Sequence, residues 1–101
     1  ITNSAISVLE KMDGNYDNIF ITSYPNPASE TVTLEYKLHN NTKTAFVDIY
    51  NIMGLKVISN KLKNESGKIF INLSELPNGL YFFNIVVNNN TIAREKLIVI
   101  K

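Results

Sequence analysis

From Thr31 onward, apolar and polar residues alternate with period two in several separate runs. Thr31-Val32-Thr33-Leu34-Glu35-Tyr36-Lys37-Leu38 sets Val32, Leu34, Tyr36 and Leu38 on one face and polar groups on the other, the mark of a half-buried strand. Thr44 to Tyr50 repeats the pattern with Ala45, Val47 and Ile49 inward, and Leu80 to Val87 does so with Tyr81, Phe83, Ile85 and Val87. The second face of that last run is also apolar, carrying Leu80, Phe82 and Val86. It therefore predicts a strand covered on both sides or central in its sheet. Ile69 to Leu73 and Ala93 to Ile100 add two more runs, with Ile19 to Tyr24 and Leu55 to Ser59 as shorter members. Val, Ile, Thr, Tyr and Phe dominate these segments, and they suit a pleated surface. Helical spacing shows only weakly, in Ala5 to Met12, and Asp13-Gly14 closes it.

Turn chemistry divides the same segments. Asn51-Ile52-Met53-Gly54 puts Asn at the first turn position and Gly where a left-handed residue is wanted, which predicts a hairpin between 44–50 and 55–61. Leu76-Pro77-Asn78-Gly79 follows similar logic, with Pro pre-setting the second turn position. Asn40-Asn41 and Asn88-Asn89-Asn90 mark loops, because Asn tolerates the left-handed region and bonds its own backbone. About seven short strands at spacings of about 8–12 residues, with no helices between them, predict one immunoglobulin-like antiparallel β-sandwich. Residues 1–18 are the least patterned and read as a linker, the tail of a preceding region, or a first strand.

Composition narrows the chemistry. The 101 residues suffice for one domain, and 10 Lys+Arg against 9 Asp+Glu give a net charge of +1. Such a balance supplies no reason to expect a nucleic-acid or anionic-membrane partner. Without cysteine there is no disulfide, thiolate metal site or thiol nucleophile. The longest apolar run, Leu97-Ile98-Val99-Ile100, falls far short of the ~20 residues of a membrane span. A start at Ile1, with no basic and apolar leader after it, suggests a piece of a longer protein.

Candidate chemistry is sparse. His39, beside the Asn40-Asn41 turn, has no second His nearby and reads as a loop-edge residue. The carboxylates Glu30, Glu35, Asp48, Glu65, Glu75 and Glu95 are scattered. Asp48 and Glu35 could meet on neighbouring strands, but an outward salt-bridge surface accounts for them better than a glycosidase pair. With four glycines, and no nucleophile elbow, Walker loop or dinucleotide fingerprint, the expectation is no catalytic, metal-binding or cofactor-binding residue. Binding is harder to exclude. Tyr36 and Tyr81 fall on inward faces and Tyr24 precedes a proline, which leaves Tyr16 and Tyr50 as candidates to stack on a sugar, two isolated rings that read better as core or rim packing than as a platform. Four Asn-x-Ser/Thr triplets, at Asn40, Asn64, Asn72 and Asn89, are what an Asn-rich chain produces by chance. Lys56, Lys61, Lys63 and Lys68 gather around one hairpin and suit edge-strand protection.

One ordered constellation remains. Tyr24-Pro25-Asn26-Pro27-Ala28 follows an apolar strand, Val47 to Val57 holds Asn51-Ile52-Met53-Gly54, Leu76-Pro77-Asn78-Gly79-Leu80-Tyr81 opens a further strand, and the chain closes on Lys96-Leu97-Ile98-Val99-Ile100-Lys101. Physically, Pro25 and Pro27 fix φ and remove two backbone donors, so no central strand runs through them. They predict a rigid corner, with a crossing between sheets as one possibility. In order and spacing, residues 19–101 resemble the C-terminal sorting domain of proteins exported by the type IX (Por) secretion system of Bacteroidota.

The resemblance implies an address rather than a reaction. A cargo joined N-terminally to residues 19–101 would pass the periplasm, be recognised by the outer-membrane translocon, and reach the cell surface or medium. A sortase-like peptidase would usually remove the domain, here somewhere before about Ile19. On this resemblance the sorting residues are Tyr24, Pro25, Asn26, Pro27, Gly54, Leu76, Pro77, Gly79, Tyr81, Lys96 and Lys101, with 92–101 as a docking strand. The alternative is an immunoglobulin-like accessory or carbohydrate-binding module of a secreted glycan-degrading enzyme.

Overall fold

The computed structural model describes residues 5–7, 20–38 and 42–101. Eight strands are present among them: β1 (Ala5–Ser7), β2 (Phe20–Tyr24), β3 (Thr31–Lys37), β4 (Ala45–Asn51), β5 (Lys56–Lys61), β6 (Ser66–Asn72), β7 (Gly79–Val87) and β8 (Asn90–Val99). They form two four-stranded sheets, β1-β2-β3-β6 and β5-β4-β7-β8, and every pairing between strands is antiparallel. Seven of the eight are the expected strands. They divide between the sheets as in immunoglobulin-like sandwiches, with β6 leaving its sequence neighbours β5 and β7 to pair with β3. The eighth, β1, lies within the stretch that showed weak helical spacing; residues 8–12 of that stretch, Tyr16 and His39 lie outside the described residues.

The period-two reading identified the core. Val32, Leu34 and Tyr36 from β3, Val47 and Ile49 from β4, Phe83 and Ile85 from β7, and Leu97 and Val99 from β8 are all buried between the sheets. Burial of these side chains drives the two faces together, at roughly 1.5–3 kcal/mol for each large one. Tyr36 lies across Gly67 on the neighbouring strand, where an added Cβ would come within 3.3 Å of its hydroxyl. A larger residue at 67 would displace that ring.

Strand β7 is central in its sheet, as one reading of its two apolar faces required, but its outer face is only partly covered. Leu80 is exposed and Phe82 and Val86 are half-buried. Two tight turns follow their sequence signatures. Asn51 Oδ1 accepts from the backbone N–H of Met53 and Leu55, while Gly54 takes φ +85° to close the β4–β5 hairpin. Asn88 and Asn89 both have positive φ, at 48° and 70°, which matches the twist of the β7–β8 hairpin. The Asn88 side chain also caps Lys43 and Thr44, accepting both of their N–H groups.

Candidate recognition surface

Strand registers bring most of the distant sorting residues to one end of the sandwich. Strand β4 ends where β7 begins, with Asn51 opposite Tyr81, and β8 ends there too, with Val99 opposite Gly79. In the facing sheet β2 ends beside the start of β3, and β6 ends opposite Thr31. A backbone bridge between Ala28 and Val99 joins the two sheets at this end.

The centre of this end is the 24–28 corner. Its two X-Pro peptides are cis, and the prolines lack the N–H groups a ladder would need. The chain turns back into the sheet it left, since β2 and β3 are direct neighbours. The corner therefore does not cross between sheets; it reaches sideways to the edge of the other one. Asn26 does the work a strand backbone would do, with Nδ2 donating to Lys96 O at 2.7 Å and Oδ1 accepting from Ile98 N at 3.0 Å. Ala28 continues the pairing, its N–H donating to Ile98 O and its carbonyl accepting from Ile100 N, both at 2.8 Å. Four outward backbone groups of the β8 segment are thereby satisfied by one side chain and one residue.

The second half of this end is built from the 73–81 connection. Tyr81 is buried and its hydroxyl donates to Pro77 O at 2.8 Å, pinning the turn to the start of β7. Leu76 is buried beneath that turn, and Gly79 has φ +158°, a conformation that side chains disfavour. Asn78 Oδ1 accepts from Lys101 N at 2.9 Å. The Lys101 ammonium donates to Leu73 O at 2.9 Å and sits 4.0 Å from Glu30. Lys101 thus fastens the chain end across both sheets.

Other sequence candidates are placed differently. Tyr24 stands on the outer face of its sheet, half-buried, and donates to Glu35 at 2.8 Å. That hydrogen bond holds its phenol above the ordinary tyrosine pKa, with desolvation and the Glu35 charge acting in the same direction. Lys96 contributes its carbonyl to the corner, while its exposed side chain lies opposite Phe82 on the outer face of the other sheet. Gly54 occupies the hairpin tip at this end, where an added Cβ would meet nothing within 4 Å. Asp48 and Glu35 are in different sheets and do not meet: Asp48 accepts from Ser59 at 2.6 Å and pairs with Lys56 at 3.5 Å, and Glu35 pairs with Lys68 at 3.8 Å. The four lysines are likewise split, because Lys68 belongs to β6 and Lys56 and Lys61 to β5.

Sequence reasoning missed Ala28, Glu30 and Leu73, whose contributions are a backbone bridge, a distant carboxylate and a carbonyl. It also missed the outer face of β7, where Asn84 interrupts an otherwise apolar run. That interruption was a readable signal of a polar partner, and Arg94 supplies it, donating from Nε to Asn84 Oδ1 at 3.0 Å. Among the described residues no cluster of three or more His, Cys, Asp or Glu could hold a metal. No helix among them is long and apolar enough to cross a membrane.

Comparison with known proteins places the fold as a whole. Residues 22–101 match the family described as the secretion system C-terminal sorting domain, a span that includes the corner, the 73–81 connection and β8. Among solved structures, the fold resembles dimeric latent PorU from Porphyromonas gingivalis, with a TM-score of 0.66 and 24% sequence identity. That likeness covers 99% of this chain but only 10% of the PorU chain, so the chain spans about a tenth of PorU's length. No curated protein matches the sequence.

Proposed function

The chain belongs to the secretion-system C-terminal sorting domains, those of the type IX route, and we propose that its sorting signal is the corner-and-strand assembly at the 24–28 end. Membership makes the domain an export signal that directs protein to the cell surface or the medium through the secretion machinery. The finer reading is that an N-terminally joined cargo is delivered to an outer-membrane translocon, that a sortase-like peptidase then cuts upstream of the sandwich, and that the domain itself carries no catalytic group. One observation supports this above the rest. Residues from three separated segments, 24–28, 73–81 and 96–101, are tied by side-chain and backbone hydrogen bonds into one surface. A receptor reading that surface reads a folded domain, because unfolded chain does not bring these segments together.

Lys96 tests the side chain that the β8 segment presents beside the corner: it is exposed, whereas the Lys101 ammonium is a structural fastener. In a reporter fused to this domain and expressed in a type IX-competent host, Lys96→Ala is expected to reduce export while leaving the melting temperature unchanged. Lys101→Ala is expected to lower both. Full export by Lys96→Ala and by a folded Asn78→Ala variant would overturn the assignment of the signal to this end.

A further inference from the structure

On the outer face of the β5-β4-β7-β8 sheet lies an open depression of about 420 Å³, lined by Tyr50, Asn51, Ile52, Phe82, Asn84 and Arg94, with Gly54 at its rim. We propose that this depression binds a carboxylated sugar ring, a hexuronate class of ligand. The inference does not rest on the sorting signal, although Gly54 and Lys96 border both features, and its test reads binding rather than export.

The floor and walls carry the argument. Tyr50 and Phe82 are direct cross-strand partners and both are half-buried, so two aromatic rings lie side by side with part of their surface open to solvent. Such a pair offers apolar surface to the C–H face of a pyranose. Alongside runs a polar row: Asn84 is the cross-strand partner of both Asp48 and Arg94. The bond from Arg94 Nε to Asn84 Oδ1 fixes the guanidinium. No carboxylate among the described residues lies within 4.0 Å of Arg94, and Asn84 Nδ2 donates to none of their groups. The site therefore holds a positioned fork that matches a carboxylate bidentately, together with an unused amide donor.

Charge points the same way. Asp48 is buried, accepts from the Ser59 hydroxyl and pairs with Lys56, and it does not line the depression. Lys96 flanks Phe82 on the far side. A β-strand peptide is disfavoured as occupant, because the face of a central strand pair offers no free backbone groups; its ladder is complete on both sides of β7. Ring stacking with side-chain donors is what remains. The volume falls within the usual range of small-ligand pockets, about 300–1,000 Å³.

The 101-residue chain, titrated with tetragalacturonate and followed by NMR, is expected to shift resonances confined to Tyr50, Phe82, Asn84 and Arg94. A neutral galactose tetramer and tetraglutamate, matched in length, are each expected to bind at least about tenfold more weakly. Arg94→Gln is expected to lose about tenfold in affinity with unchanged melting, and Tyr50→Thr, which keeps strand propensity, a similar amount; Lys63→Gln retains binding. Equal binding of the neutral sugar removes the role of Arg94 and overturns the proposal. So does a tetraglutamate response at the same residues as strong as that of the sugar, a response spread over the surface lysines, or no response at millimolar ligand.

Discussion

Strands β8 and β5 are the two edges of one sheet, and the chain protects them by different means. The β8 strand is 10 residues long, and the edge of its C-terminal half is filled by the 26–28 corner, with Asn26 and Ala28 pairing to backbone groups from Lys96 to Ile100. The β5 strand has 6 residues, a register irregularity against β4 between Ile49 and Tyr50, and exposed Lys56 and Lys61 at its ends. Shortness, a bulge and lysines deter a foreign strand without occupying the edge. A covered edge is part of the folded architecture, and its outline is fixed. A merely deterred edge has no partner strand among the described residues. The difference teaches that one edge is closed by a few residue identities in the corner, whereas the other is left to length, irregularity and charge.

The comparison can be broken most severely in the core beneath each edge. Leu97 is fully buried under β8, and Leu97→Ala is expected to cost about 2–5 kcal/mol. Ile58, half-buried under β5, is expected to cost clearly less when changed to Ala. Equal losses in chemical denaturation would show that the two edges are anchored alike. Asn26→Ala comes next. It leaves Ile98 N and Lys96 O without their partners and is expected to cost about 1–3 kcal/mol. The accompanying hydrogen-exchange signature is faster exchange at Ile98, with β4 and β5 unchanged. A uniform rise in exchange would instead mean that the corner supports the whole sandwich. The smallest effect on stability is expected at the other edge. Lys61→Val with Lys63→Val is expected to change folding free energy by no more than about 0.5 kcal/mol yet to produce concentration-dependent self-association in sedimentation. A monomer at all concentrations would show that the lysines do not guard β5.

Much of the fold was legible because its signals are local. Val32, Leu34 and Tyr36 alternate with polar residues because successive side chains of a strand face opposite sides, and one side of each sheet is core. Gly54, Asn88 and Asn89 announced their turns because few residues tolerate the left-handed region, and Asn51 because its side chain bonds the backbone of its own turn. The recognition surface was legible only as a set of identities. Asn26 is the clearest case: its partners lie 70 and 72 positions away, and nothing in the five residues around it distinguishes an amide that completes a sheet edge from one that caps a loop. Tyr50, Phe82 and Arg94 were each readable as strand residues, but their shared depression depends on the β4-β7-β8 register.

Sequence alone thus determined which faces are apolar, where the chain turns, and that cysteine chemistry has no place here. Each of those properties is set within a few residues by backbone geometry and side-chain polarity. Tertiary structure decided that β6 joins β3 rather than its chain neighbours, that the proline corner seals the edge of the opposite sheet, and that Lys101 fastens the two sheets. Those outcomes depend on which distant backbone groups would otherwise be left unpaired, and only the packed sandwich brings them within hydrogen-bonding reach.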